Sequence, residues 1–240
     1  MANDRTPEVE SLDPQAPPQW RWVHRACPKA RRIGVLSASF NPPTRAHMAL
    51  METAQESFRL EESVLLLAVT HVEKPLTGFK LRERLEMLQA IARERLGWSV
   101  ALCNRARFFE KAQALREAVG AGSELFFVVG GDTVVRLFNA QYYSDPPMEL
   151  ALQSFFQTAC LIVAPRPPWD RPALEAFLQD PSRETYRARI YFVSLDPAFT
   201  AVSSSEVRQR LARGEPVDML VPSEILPWLT KPSEWTQANP

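Results

Sequence analysis

Four short stretches of the chain hold side chains able to do chemistry. They are Thr44 and His47 in "SASFNPPTRAH", Lys74 in "THVEKPLTG", Gly131 and Asp132 in "GGDT", and Ser203, Ser204, Ser205 and Arg208 in "VSSSEVR". Hydroxyls, an imidazole, an ammonium and a guanidinium set at the first turns of helices make a phosphate-binding set. The unpaired N–H groups of a helix start point at an anion, and the helix dipole favours its charge. Thr44 and His47 lie three apart and share one helix face if the first turn begins there. Pro42 and Pro43 fix a non-helical approach to that turn. Each residue also has a plainer reading when taken alone. His47 could be a packed or solvated histidine, and Asp132 an N-cap after two glycines. Ser203 with Glu206 three residues on has the capping-box pattern. Lys74 could be a solvated loop lysine, and Trp98, at the start of an apolar run, could be core rather than a ligand platform. The stretch "RARFFEKAQALR" reads as a helix with a solvated face and is assigned no chemistry.

The elements that must position these residues are legible as apolar runs. "RIGVLSA", "SVLLLAV", "WSVALC", "ELFFVVG", "ACLIVAP" and "ARIYFVSL" are mostly continuous, as strands buried on both faces of a parallel sheet are. Between them, "AHMALMETAQESF", "LRERLEMLQAIARER" and "FEKAQALREAV" space their apolar residues at helical intervals. The alternation predicts a doubly wound, Rossmann-like α/β fold with right-handed crossovers. In such sheets ligands bind outside the carboxyl ends of the strands. The four stretches follow the first, second, fourth and sixth runs, so they should converge. A chain of 240 residues suits one sizeable domain. The expected division is a Pro-rich flexible tail over 1–31, whose end docks through Trp20 and Trp22, a single α/β domain over 32–229, and a C-terminal tail over 230–240.

Formal net charge is +0, which weakens any nucleic-acid reading. Three widely spaced cysteines, Cys27, Cys103 and Cys160, suit neither a disulfide framework nor a zinc site, and imply a reducing, cytoplasmic compartment. The first twenty residues lack an apolar signal region, and no run is long enough to span a bilayer.

In combination the motifs resemble a family. "SASFNPPTRAH" is similar to the first signature of the nicotinamide/nicotinate mononucleotide adenylyltransferases, Gly-x-Phe-x-Pro followed by His-x-Gly-His or Thr-x-x-His. Phe40, Asn41 and Pro42 fit, with Thr44 and His47 in the Thr-x-x-His places. "VSSSEVRQRL" resembles the second signature, Ile-Ser-Ser-Thr-x-x-Arg. "GGDTVVRLF" is similar to the Gly-x-Asp segment, and "VPSEILPWL" to the closing Val-Pro helix. The resemblance implies transfer of AMP from ATP to a pyridine mononucleotide, in which the substrate phosphate attacks the α-phosphorus and pyrophosphate leaves. No protein nucleophile is needed; positioning and charge stabilisation are.

Expected roles follow. His47 donates to the α-phosphate, Thr44 and Ser203, Ser204 and Ser205 hold the triphosphate, and Arg208 neutralises the departing pyrophosphate. Ser39, Phe40, Gly131 and Asp132 complete the ATP side, with Asp132 accepting from a ribose hydroxyl. Lys74 reaches the mononucleotide's phosphate and Trp98 stacks on its pyridine ring. Magnesium arrives with ATP, held mostly by phosphates and water, without a dedicated protein metal site. A homo-oligomer is open, whereas nucleic-acid and membrane partners are not expected. Two departures stand out: Ala38 and Ala46 occupy places where the family has glycine. Other readings stay open on sequence: a phosphopantetheine adenylyltransferase or cytidylyltransferase, an ATP hydrolase, another phosphorylated acceptor, or a nucleotide-binding module without catalysis that acts through a partner.

Overall fold

The computed structural model describes residues 12–69 and 78–229. In chain order the elements are β1 (Trp20–His24), β2 (Arg32–Ser37), α1 (Arg45–Phe58), β3 (Glu62–Ala68), α2 (Leu81–Arg93), β4 (Trp98–Cys103), α3 (Phe108–Val119) and β5 (Glu124–Gly130). Then come α4 (Gly131–Leu137), α5 (Met148–Thr158), β6 (Cys160–Ala164), α6 (Arg171–Phe177), α7 (Pro181–Arg187), β7 (Ile190–Phe192), α8 (Pro197–Thr200), α9 (Ser204–Ala212) and α10 (Leu226–Leu229). The expected α/β fold is the one found.

Among the described residues the strands form one seven-stranded sheet in the order β1-β4-β3-β2-β5-β6-β7, parallel except for β1 against β4. Every residue of β3, β4 and β6 is buried, which explains their largely apolar sequences. The sheet separates two cores. Leu36, Leu65, Leu67, Val100 and Val128 face α1, α2 and α9, whereas Ile33, Val35, Leu66, Phe127 and Val129 face α3, α4 and α5. From β2 the chain winds outward through β3 to β4, then returns to β5 on the other side and winds the opposite way. That reversal opens a crevice between the carboxyl ends of β2 and β5, the place where such sheets bind ligands.

The expected tail is shorter than 31 residues. Residues 20–24 form the antiparallel edge strand β1, with Trp20 opposite Cys103 and Trp22 opposite Ala101. The two indoles, one residue apart on the same strand face, pack edge to face at 5.4 Å against the α3 side of the sheet. Asn104 fastens the segment before it: its Oδ1 accepts from the Gln19 N–H at 2.7 Å, and its Nδ2 donates to the Asp13 and Pro17 carbonyls. Composition hid this strand, since the prolines upstream gave the region a disordered look while "WRWVH" itself alternates with period two. The expected C-terminal tail, 230–240, lies outside the described residues.

Candidate active site

Two helix N-termini meet over the crevice. Thr44 caps α1 and Ser203 caps α9, each with a side-chain oxygen that accepts from the backbone three residues on, His47 N–H at 3.4 Å and Glu206 N–H at 3.2 Å. The lining of a cleft of about 250 Å³ includes Ser37 and Ala38 from β2 and its loop, Ala46 and His47 from α1, Gly130 and Asp132 at β5 and α4, Arg166 after β6, and Ser203 and Ser204. Three of the four sequence stretches therefore converge as expected. Lys74, in the remaining one, lies outside the described residues.

The α1 start is a capping box in which histidine takes the place of the usual glutamate or glutamine. The Thr44 backbone N–H donates to His47 Nδ1 at 3.1 Å. A backbone N–H can only donate, so Nδ1 is an acceptor and the proton of the neutral ring sits on Nε2. The Thr44 hydroxyl lies 2.7 Å from the same nitrogen and donates to it. Burial, with the Arg166 charge adding to it, pushes the His47 pKa down to about 4. On the order of one ring in a thousand is then protonated at neutral pH. His47 is thus a neutral imidazole that presents Nε2–H from a residue lining the cleft.

Thr44 itself is fully buried. Its hydroxyl is engaged with His47, so it acts on a ligand through the imidazole it orients. Of the first N–H groups of α1, Arg45 donates to the Leu220 carbonyl and His47 to Thr44, while Ala46 N–H has no partner among the described residues. At α9 the Ser204 N–H is in the same position. Two backbone donors and one imidazole donor thus belong to residues lining a single cleft.

The β2–α1 loop that carries them is clamped from three sides. Arg208 in α9 donates to the Asn41 carbonyl at 2.6 Å, and Ser204 Oγ to the Pro42 carbonyl at 2.8 Å. Arg84 in α2, only 4% exposed, donates to the Ser39 carbonyl at 2.8 Å, and burial lowers its pKa to about 10. Asn41 Oδ1 accepts from the Phe79 N–H at 2.9 Å, and the Asn41–Pro42 peptide is cis. Phe40 takes the left-handed conformation, φ 45°, which costs a non-glycine residue about 1 kcal/mol. That turn drives its ring into the core, where it packs on the His47 imidazole with centroids 5.0 Å apart. The side chain expected beside ATP instead supports the histidine from behind.

Other expected residues fall in different places. Trp98 is the first residue of β4, at the amino end of a strand whose carboxyl end faces the site. It is 2% exposed, and its indole N–H is bonded to Gln55 Oε1 at 2.8 Å. The stacking role expected for it is corrected to a core role, because no ring face is accessible. Gly131 is buried at the start of α4: a Cβ there would sit 2.7 Å from the Trp169 carbonyl oxygen. Its small size serves helix-to-loop packing, and the cleft lining passes to Gly130 and Asp132. Asp132 meets Arg166 at 3.3 Å, both about half exposed. Ser205 is exposed and accepts from Arg208 at 3.3 Å, outside the cleft lining. Ala38 is among the cleft-lining residues, and its methyl packs against the core on the α1 side of the sheet.

Two participants were missed at the sequence level. Arg166 follows the apolar run "ACLIVAP", and the rule that chemistry sits just after each strand, applied to the fifth run as well, would have found it. Arg84 sits in a helical pattern and carried no sequence signal.

Comparisons with known proteins bear on the family and the fold. The cytidylyltransferase-like family model matches residues 35–210. A Schizosaccharomyces pombe protein described as a nicotinamide mononucleotide adenylyltransferase is 30% identical over 132 residues, covering 54% of this chain and 51% of its own. The chain therefore spans about half the length of that relative. A Trichlorobacter lovleyi protein described as a nicotinate-nucleotide adenylyltransferase is 30% identical over 221 residues, covering 83% of this chain and 97% of its own. A solved Plasmodium falciparum nicotinic acid mononucleotide adenylyltransferase, complexed with NaAD, superposes with a TM-score of 0.62 at 17% identity, covering 83% of this chain and 94% of that one. At that identity the structure speaks for the fold. Family model, relatives and fold together assign this chain to the cytidylyltransferase-like family, among its nicotinamide/nicotinate mononucleotide adenylyltransferases.

Proposed function

We propose that the protein transfers AMP from ATP to a pyridine mononucleotide, yielding a dinucleotide and pyrophosphate, a step of NAD biosynthesis. The observation that carries this reading is the Thr44–His47 capping box. It fixes a neutral imidazole as a donor beside two helix starts, the arrangement an in-line transfer at phosphorus needs. An oxygen of the mononucleotide phosphate forms the new bond to the α-phosphorus as the bond to the bridging oxygen of pyrophosphate breaks. His47 Nε2–H and the Ala46 and Ser204 N–H groups stabilise the charge that builds on the transferring group. Thr44 orients the imidazole, and Ser203 holds the α9 start in place. Arg208 joins the two elements that bear these donors, and from there its charge acts on the leaving pyrophosphate.

Among the described residues Asp132 is the one carboxylate lining the cleft, suited to a ribose hydroxyl. With that carboxylate already facing Arg166, the described residues suit magnesium that enters as part of the substrate, magnesium ATP, with phosphates supplying its ligands. Lys74 keeps its proposed place at the mononucleotide's phosphate.

The experiment is product chromatography after incubation with magnesium ATP and either nicotinamide or nicotinate mononucleotide, with His47→Gln beside the wild type. Dinucleotide and pyrophosphate in equal amounts, lost in the variant, are expected, and the better acceptor reveals the amide or acid preference. ATP consumed without dinucleotide would overturn the reading in favour of a hydrolase or another acceptor.

A further inference from the structure

A charged side chain occupies a core position of α2. Arg84, Met87, Leu88 and Ile91 recur at helical spacing along one face of that helix, and all four are buried. Among the described residues no carboxylate lies within ion-pair distance of Arg84, and burial alone perturbs it. Its Nη1 donates to the Ser39 carbonyl at 2.8 Å, while its Nε is buried without a hydrogen-bond partner among the described residues. Taking a guanidinium out of water costs more than one charged hydrogen bond returns, so methionine would serve the packing of α2 at least as well. The fold alone does not account for the arginine.

What its one bond holds does account for it. Ser39 precedes Phe40, the residue with φ 45°. That angle rotates the planar Ser39–Phe40 peptide about the Phe40 N–Cα bond, so a fixed Ser39 carbonyl fixes the rotation. The left-handed conformation is unfavourable for phenylalanine, and the bond from Arg84 keeps the chain from relaxing out of it. In that conformation the Phe40 ring is fully buried and lies against the His47 imidazole, with centroids 5.0 Å apart and planes inclined at 54°. Rotation of an imidazole about its last side-chain bond is soft. Thr44 holds the ring at Nδ1, from its N–H at 3.1 Å and its hydroxyl at 2.7 Å, and Phe40 packs on the ring beside it. A chain of contacts therefore leads from the buried guanidinium to a donor residue of the cleft, although Arg84 does not line the cleft itself.

We propose that Arg84 is a positioning residue for the transfer: through the Ser39 carbonyl and the Phe40 ring it fixes the direction of the His47 Nε2–H. The inference rests on the adenylyl-transfer reading and adds to it a residue behind the cleft that sets the geometry of its imidazole donor.

The test compares Arg84→Met, which keeps length and apolar fit, with Arg84→Lys, which keeps a charged donor, and with Phe40→Leu and the Arg84→Met/Phe40→Leu double variant. Dinucleotide formation, calorimetric binding of a non-hydrolysable ATP analogue, and the nitrogen NMR signals of the His47 ring, assigned with His47→Gln, are measured on the full chain. In Arg84→Met kcat is expected to fall about tenfold to a hundredfold, with affinity for the ATP analogue within about threefold of wild type. The melting temperature should move by only a few degrees, because the variant removes a buried charge as well as a bond. Arg84→Lys should recover part of the rate. The Nδ1 and Nε2 signals, well separated in the wild type, should draw together in Arg84→Met as the ring loses its single orientation and tautomer. The double variant should be no slower than the poorer single one. Unchanged kcat in a folded Arg84→Met protein, losses that add in the double variant, or unmoved ring signals with ATP-analogue binding weakened as much as kcat would each overturn the proposal. Absence of dinucleotide with the wild type would remove the function reading, while the ring signals, read without turnover, would still decide whether Arg84 sets the imidazole.

Discussion

His47 does its proposed work as a neutral donor, and two consequences follow, the first of which separates this from a histidine that is merely packed. Glutamine at the third position of a helix also completes a capping box, so His47→Gln keeps the α1 start while removing the imidazole. Turnover is expected to fall about a hundredfold to a thousandfold, as for loss of one preorganised donor, with the melting temperature shifted by only a few degrees. A large loss of stability with activity intact would refute the assignment. The second consequence is a pH dependence of folding. The folded pKa of about 4 lies below the unfolded value near 6.5, so the unfolded chain binds a proton that the folded chain refuses. Stability is therefore full above about pH 6.5 and declines as pH falls toward about 4, by up to about 3 kcal/mol from this one group. Denaturant titrations of wild type and His47→Gln across that range should diverge in the acid half, with the variant flatter.

At the level of elements, the site depends on how closely loops and helix starts approach one another. Gly78 has φ +112°, and a Cβ there would lie 2.8 Å from Asn41 Oδ1 and 3.0 Å from the Arg208 Cδ. Gly78→Ala should therefore disturb the clamp on the β2–α1 loop and lower turnover, at a stability cost of about 1–3 kcal/mol. Gly131→Ala should cost a similar amount by pushing α4 off the Trp169 carbonyl, a backbone group that cannot swing aside. Thermal melts and initial rates for both variants check this. Helix starts are local objects, built from a cap residue and the three that follow. For that reason the places of Thr44, His47, Ser203 and Ser204 were readable in the sequence. Arg84 and Arg166 act across 45 and 34 residues of chain, through Ser39 and Asp132 respectively, and no local pattern encodes such a pairing.

In the whole molecule the sheet needs its edge. β1 covers β4 on the side that would otherwise present unpaired backbone groups, and its two tryptophans pack on the α3 side. Removing residues 1–24 is expected to expose the β4 edge and promote association, seen as concentration-dependent light scattering and a lower melting temperature. A monodisperse, equally stable truncation would show that the strand is dispensable. The amino-acid sequence by itself determined the parallel α/β architecture, because strands buried on both faces are predominantly apolar, and it determined where the two cleft-lining helix starts lie. Tertiary structure alone decided which polar groups belong to the cleft. It sent the Phe40 ring and Trp98 into the core, turned the Thr44 hydroxyl to the imidazole, and brought Arg84 from α2 to the Ser39 carbonyl. The physical reason is that side-chain burial and long-range hydrogen bonding are settled by how the layers pack, whereas period and capping are settled within a few residues.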